Sequence, residues 1–146
     1  GTDLRVVSDH EMVSHYDWRD GRRILAWANR DGRGMHYYLF DDEGGEPEIV
    51  GGDVFHSDGH CSWSPDRRWV LTDSYPSGGK RALILYRPED NLRVDVGAFY
   101  TMPTPDAECR CDLHPRWSRD GKTVCFDSTH ENIRALYLME VSPIVG

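Results

Sequence analysis

The sequence predicts an all-β fold made of β-propeller blades, three four-stranded repeats that form either part of a longer propeller or half of an assembled ring. Three observations lead there. A strand, tight turn and second strand recur three times, as Ser14-His-Tyr-Asp-Trp-Arg-Asp-Gly-Arg-Arg-Ile-Leu-Ala-Trp, Gly59-His-Cys-Ser-Trp-Ser-Pro-Asp-Arg-Arg-Trp-Val-Leu-Thr and Leu113-His-Pro-Arg-Trp-Ser-Arg-Asp-Gly-Lys-Thr-Val-Cys-Phe-Asp-Ser. The spacing between their histidines, 45 residues from His15 to His60 and 54 from His60 to His114, matches a blade of about 40–50 residues. Val, Ile, Trp, Tyr and Phe fill the periodic segments while Asp-Gly, Gly-Gly and Pro punctuate them, and helical periodicity is absent.

Taken in order, residues 4–8 (Leu-Arg-Val-Val-Ser) read as a short strand that precedes the first repeat, as 48–51 precedes the second and 92–97 the third. Each histidine-bearing strand then turns into an apolar strand, at 24–28, 69–73 and 124–127. In the third repeat, Asp120-Gly121 is the positive-φ pair of a two-residue hairpin turn. A loop leads on to a further strand at 35–40, 82–86 and 135–139. The repeats therefore span about 4–45, 46–90 and 91–141 of a single segment, with the longer last spacing taken up by the loop 99–110. Three blades do not close a ring, since propellers typically need at least four. A longer chain supplying the remaining blades, a homodimer making a six-bladed ring, or a partner covering the ends would each complete it.

Lys and Arg number 17 against 25 Asp and Glu, a net charge of −8, which repels nucleic acid and anionic membrane surfaces. No run approaches the ~20 apolar residues of a spanning helix, and the first residues lack the basic and apolar regions of a signal peptide. A soluble protein is expected, with cytoplasm and periplasm both open. Cys61, Cys109, Cys111 and Cys125 are too few and too uneven for a disulfide scaffold, and Cys109-x-Cys111 lacks the spacer of a zinc knuckle. They read as reduced, structural thiols. Arginines gather in and near the turns, at Arg22, Arg23, Arg67, Arg68, Arg110 and Arg116, either as solvated charge or as a local anion site.

The equivalent positions of His15, His60 and His114 converge if the first strand of each blade lines a central channel. Imidazole is a common ligand of divalent transition metals, and a capping or carbonyl-bonding role for the repeated histidine is the alternative. Asp112 lies two residues before His114, on the same face of an extended strand, so carboxylate and imidazole can share an ion. Cys109 is either buried or a further ligand. His10, His36, His56 and His130 have no repeat partners and read as surface residues. Trp18, Trp63 and Trp117 recur at one register and read as packing between blades. No nucleophile elbow, phosphate loop or Ser-His-Asp order is present.

Trp63-Ser-Pro-Asp and His114-Pro-Arg-Trp-Ser-Arg-Asp-Gly-Lys, followed by Val124-Cys-Phe-Asp-Ser and Ala135-Leu-Tyr-Leu-Met, resemble the repeat of TolB-type propellers. With a histidine before each motif, the chain is similar to the C-terminal blades of the oligogalacturonate lyase family, whose members are seven-bladed. That resemblance implies a manganese-type divalent ion held by His60 and His114, with His15 as the base that removes a proton from an anionic oligosaccharide in a β-elimination. Asp112 and Cys109 stand where the family has a histidine and a glutamine. Arg110 and Arg116 are the candidates for binding the substrate carboxylates. The alternative is a non-catalytic propeller module, a TolB-like scaffold that binds a protein or glycan across its loops.

Overall fold

The computed structural model describes residues 1–9, 12–104 and 106–146; the expectation for His10 lies outside them. The chain is all-β, with three antiparallel sheets arranged as propeller-like blades and the ring left open. Blade 1 contains β1 (Val13–Trp18), β2 (Arg23–Arg30), β3 (Gly34–Asp41) and β4 (Glu48–Val50), paired in that order. Blade 2 contains β5 (Ser62–Trp63), β6 (Val70–Asp73), β7 (Lys80–Arg87) and β8 (Leu92–Tyr100), and blade 3 contains β9 (Arg116–Trp117), β10 (Thr123–Ser128) and β11 (Ala135–Glu140). After β11 the chain enters a single helical turn, α1 (Ser142–Val145), and the third sheet has three strands rather than the expected four.

Side chains alternate across each strand, and where both faces are covered the strand reads as a continuous apolar run. In β2 and β3, Leu25, Trp27, Tyr37 and Leu39 face blade 2 and form one core with Val50, Phe55, Trp63, Val70, Ile84 and Tyr86. From blade 2, Leu71, Leu83 and Leu85 point the other way and meet Leu113, Val124, Phe126 and Val141. Blade 2 is thus packed on both faces. On blade 3 the side away from this core exposes Leu136 and Leu138, at 68% and 74%.

The strands expected to lead each repeat instead close the preceding sheet. β4 pairs with β3 and β8 with β7, because short connections join them, the second a single 3-10 turn at Pro88–Asp90. A short link favours an antiparallel hairpin over a crossing to the next sheet. Residues 4–8 form no strand. The outer edge of blade 1 is already occupied by β4, and Val6 and Val7 instead line an apolar cleft with Val13, Ile24 and Phe40.

The Asp120-Gly121 turn also differs from the expected pair. Only Gly121 is left-handed, with φ 72°, and its N–H donates to the Ser118 carbonyl at 3.0 Å. Asp120 accepts from the Ser118 hydroxyl at 2.6 Å and the Lys122 N–H at 3.1 Å, so its side chain satisfies the turn without a positive φ. Blade 2 repeats this device with Ser64, Asp66 and Arg68. There Arg67 adopts the left-handed conformation, with φ 64°.

The tryptophan at the end of each first strand becomes more buried when a neighbouring blade precedes it. Trp63 is 8% exposed, with its backbone N–H donating to Asp17 at 3.0 Å. Trp117 is half-buried and its indole donates to the Ser62 carbonyl at 3.4 Å. Trp18 is 52% exposed, with no blade among the described residues packed over it.

Candidate metal and acid–base site

The three inner strands bring the recurring histidines into one stack. The His15 and His60 rings lie 4.1 Å apart and those of His60 and His114 3.9 Å apart. Two of the three sit in strained backbone: His15 has φ 29°, at a bulge between Ser14 and Tyr16, and His114 has φ 43°. A left-handed conformation costs a non-glycine residue about 1–2 kcal/mol, and such strain persists only where the surroundings over-determine it.

An acceptor holds Nδ1 of each ring. His15 Nδ1 lies 2.9 Å from Asp58 Oδ2, and His60 Nδ1 lies 2.9 and 3.0 Å from the two oxygens of Asp73. His114 Nδ1 faces the Asp112 carbonyl at 3.4 Å. An ionised carboxylate only accepts, so Nδ1 of His15 and His60 carries the proton and Nε2 the lone pair. Metal-binding histidines are oriented by this arrangement.

Asp73 organises two blades at once. It is 3% exposed, accepts the His60 backbone N–H at 2.7 Å and also accepts that of His114 at 3.1 Å. Burial pushes its carboxyl up, but the imidazole and backbone donors of His60, with the His114 N–H, outweigh this and hold it below the ordinary carboxylate range. His114 is pushed down by burial and by neighbouring His60, favouring neutral imidazole. Gly59 precedes His60 because a Cβ there would run into the Asp73 carbonyl and the Thr72 hydroxyl. Tyr37 of blade 1 locks this approach, donating to the Gly59 carbonyl at 2.8 Å.

Donor atoms of His60, Asp112 and His114 lie within 4.8 Å of one another. Two anchored imidazoles and a carboxylate fit a divalent transition ion. Asp112, however, is shared with two guanidiniums. Arg110 grips it in a bidentate pair at 2.8 Å, and Arg81 Nη2 lies 2.6 Å from its Oδ1. Burial pushes Asp112 up, and Arg110 and Arg81 bring it below its ordinary range. Arg81 is 1% exposed, and neither its Nε nor its Nη2 makes a hydrogen bond, so Nη2 meets Asp112 as an ion pair alone. Asp58, Asp73 and Asp112 set against Arg81 and Arg110 leave one negative charge near the stack, which favours a cation.

Of the residues singled out in the sequence, the structure brings His15, His60, His114 and Asp112 together, with Arg110 bound to Asp112 and stacked 5.1 Å from Tyr75. Arg116 is exposed on β9, in a cavity beside the inner strands. Cys109 is exposed and stands outside the donor group, while Cys61 and Cys111 are buried. His56 is exposed; His36 is half-buried. His130, expected at the surface, is half-buried and packs on Tyr137 at 4.4 Å. Asp58, Asp73 and Arg81 escaped the sequence reading. A signal existed for Asp73, since Thr72-Asp-Ser and Phe126-Asp-Ser end equivalent strands. No helix among the described residues is long and apolar enough to cross a membrane. No family model matches the chain, and a search of curated proteins finds no relative.

Proposed function

We propose that the chain is a metal-binding propeller segment that performs β-elimination on uronate oligosaccharides, with His60 and His114 as ligands, Asp112 as a shared carboxylate ligand and His15 as the base. The observation that carries this reading is the histidine stack with Nδ1 of His15 and His60 tied to carboxylates. A bound divalent ion, of manganese type, would neutralise the substrate carboxylate and acidify the adjacent C–H. Neutral His15 takes that proton at Nε2 while Asp58 stabilises the resulting imidazolium through Nδ1–H. The C–H electron pair forms the new double bond as the bond to the 4-linked sugar oxygen breaks, and that oxygen leaves with the bonding pair and takes a proton from water. Arg110, half-exposed, can release Asp112, whereas Arg81 is held in the interior.

Manganese titration of the purified protein tests the site: stoichiometric binding that is abolished in His60→Ala/His114→Ala supports it. Absence of binding, or binding unchanged in the double variant, overturns it. Digalacturonate incubated with protein and manganese should yield the ultraviolet absorbance of an unsaturated uronate, and His15→Ala should abolish it while retaining the ion. The double hold of guanidiniums on Asp112 favours a second reading, a non-catalytic glycan-binding module, in which binding without elimination is expected.

A further inference from the structure

A cavity of about 250 Å³ opens beside the histidine stack, where the first strands of all three blades meet. Its polar walls come from one repeat position: two residues after the histidine the sequence has Asp17, Ser62 and Arg116. The histidine two places before them and the tryptophan after them recur unchanged, so this position gives the wall its asymmetry of charge, with an acid, a hydroxyl and a guanidinium. We propose that the cavity is a subsite for one sugar-acid unit, an inference that rests on the uronate reading above.

Four features fit that ligand. Arg116 is exposed and makes no ion pair among the described residues; its Nη1 donates only to the neighbouring Pro115 carbonyl, at 2.8 Å. It is therefore available to a carboxylate, and a guanidinium pairs with carboxylate in a bidentate geometry. Asp17, with one oxygen already accepting the Trp63 N–H, repels a carboxylate from the opposite wall and accepts sugar hydroxyls. Ser62 is 7% exposed, yet its hydroxyl has no hydrogen-bond partner. An unpaired buried hydroxyl is costly and can rotate toward a ligand. Tyr16 and Trp117 supply aromatic wall, and the size lies just under the ~300–1,000 Å³ of drug-sized ligand pockets, which suits a single ring.

The test uses chelator-treated full chain, so that binding is read without a metal, with galacturonate and galactose as probes in calorimetric or NMR titrations. Galacturonate should bind at least about tenfold more tightly than galactose, the magnitude of one charge-assisted contact. Arg116→Gln should erase that preference and leave galactose binding as it was, Arg116→Lys should restore part of it, and Ser62→Ala should weaken both sugars. His60→Ala/His114→Ala should retain the preference. Equal binding of both sugars, binding of neither, or an Arg116→Gln variant that keeps the preference overturns the subsite, even where digalacturonate is cleaved. Conversely, an Arg116-dependent preference in a protein that binds no manganese and cleaves nothing upholds the subsite and defeats the catalytic reading alone.

Discussion

Replacing Asp73 with Asn should break the site while leaving its shape almost unchanged. The carboxylate accepts four contacts: the His60 N–H at 2.7 Å, His60 Nδ1 at 2.9 and 3.0 Å, and the His114 N–H at 3.1 Å. The amide of Asn keeps one acceptor oxygen and turns the other into a donor. If the oxygen keeps His60, the amide group faces the His114 N–H and leaves a partly buried donor unpaired, at about 1–3 kcal/mol. The surviving contacts lose their charge assistance, which roughly halves them. Together these give a loss of about 2–4 kcal/mol, measurable as a shift of the urea midpoint at constant slope. If the amide instead donates to His60 Nδ1, the ring must carry its proton on Nε2, and manganese affinity should fall by about 10–100-fold. Nitrogen chemical shifts of the imidazole report the tautomer directly. A variant that unfolds within about 0.5 kcal/mol of the parent, keeps the His60 tautomer and binds manganese as before would refute the role assigned to Asp73.

Gly59→Ala should cost about 1–3 kcal/mol by overpacking and displace His60, since the added methyl meets backbone at the Asp73 carbonyl; chemical denaturation together with manganese affinity checks both effects, and Gly52→Ala, which meets the Ile49 Cγ2 methyl and no backbone, should be milder. Of the four cysteines, exposed Cys109 should react first with Ellman's reagent, Cys125 more slowly, and Cys61 and Cys111 only on unfolding, because both are buried and burial pushes their thiols up; fast reaction in Cys109→Ser would contradict this. In the first turn, the Arg23 side chain and the backbone N–H groups of Arg22 and Arg23 bring Asp20 down to about 2. A folded value below the unfolded one near 3.9 contributes stability above about pH 4 that is lost as the pH falls toward 2; the thermal midpoint should decline over that window, and less steeply in Asp20→Asn.

The blade repeat, the alternation of apolar strands and the convergence of His15, His60 and His114 were legible because a three-fold recurrence marks equivalent places in a fold even before the fold is known. Asp112 was legible through its proximity to His114 along the chain. Strand ownership was not: 48–51 and 92–97 lie between two repeats, and the sequence pattern is equally consistent with either neighbour until connection length decides the pairing. Asp58 and Arg81 were hidden for a different reason. Each acts on a residue 31 or more positions away, Arg81 on Asp112 and Asp58 on His15, and neither belongs to a pattern the histidines share. Arg81 heads an apolar strand, where a solvated charge is the ordinary reading, yet sheet pairing turns it inward.

Blade 2 shares a core with each of its neighbours, whereas blades 1 and 3 each share a core with blade 2 alone, the further apolar cluster of blade 1 lying within its own strands. In such a quasi-linear stack the outer members open first and independently, and amide exchange should be slowest in the middle one. The histidines are divided among the three: His60 belongs to the slow member, and His15 and His114 to members that can peel away. Opening the seam between blades 2 and 3 separates the two proposed ligands and leaves the proposed base in place; opening the other seam removes the proposed base and leaves the pair. Metal retention and proton abstraction would then fail at different denaturant concentrations, each reporting the loosening of its own seam.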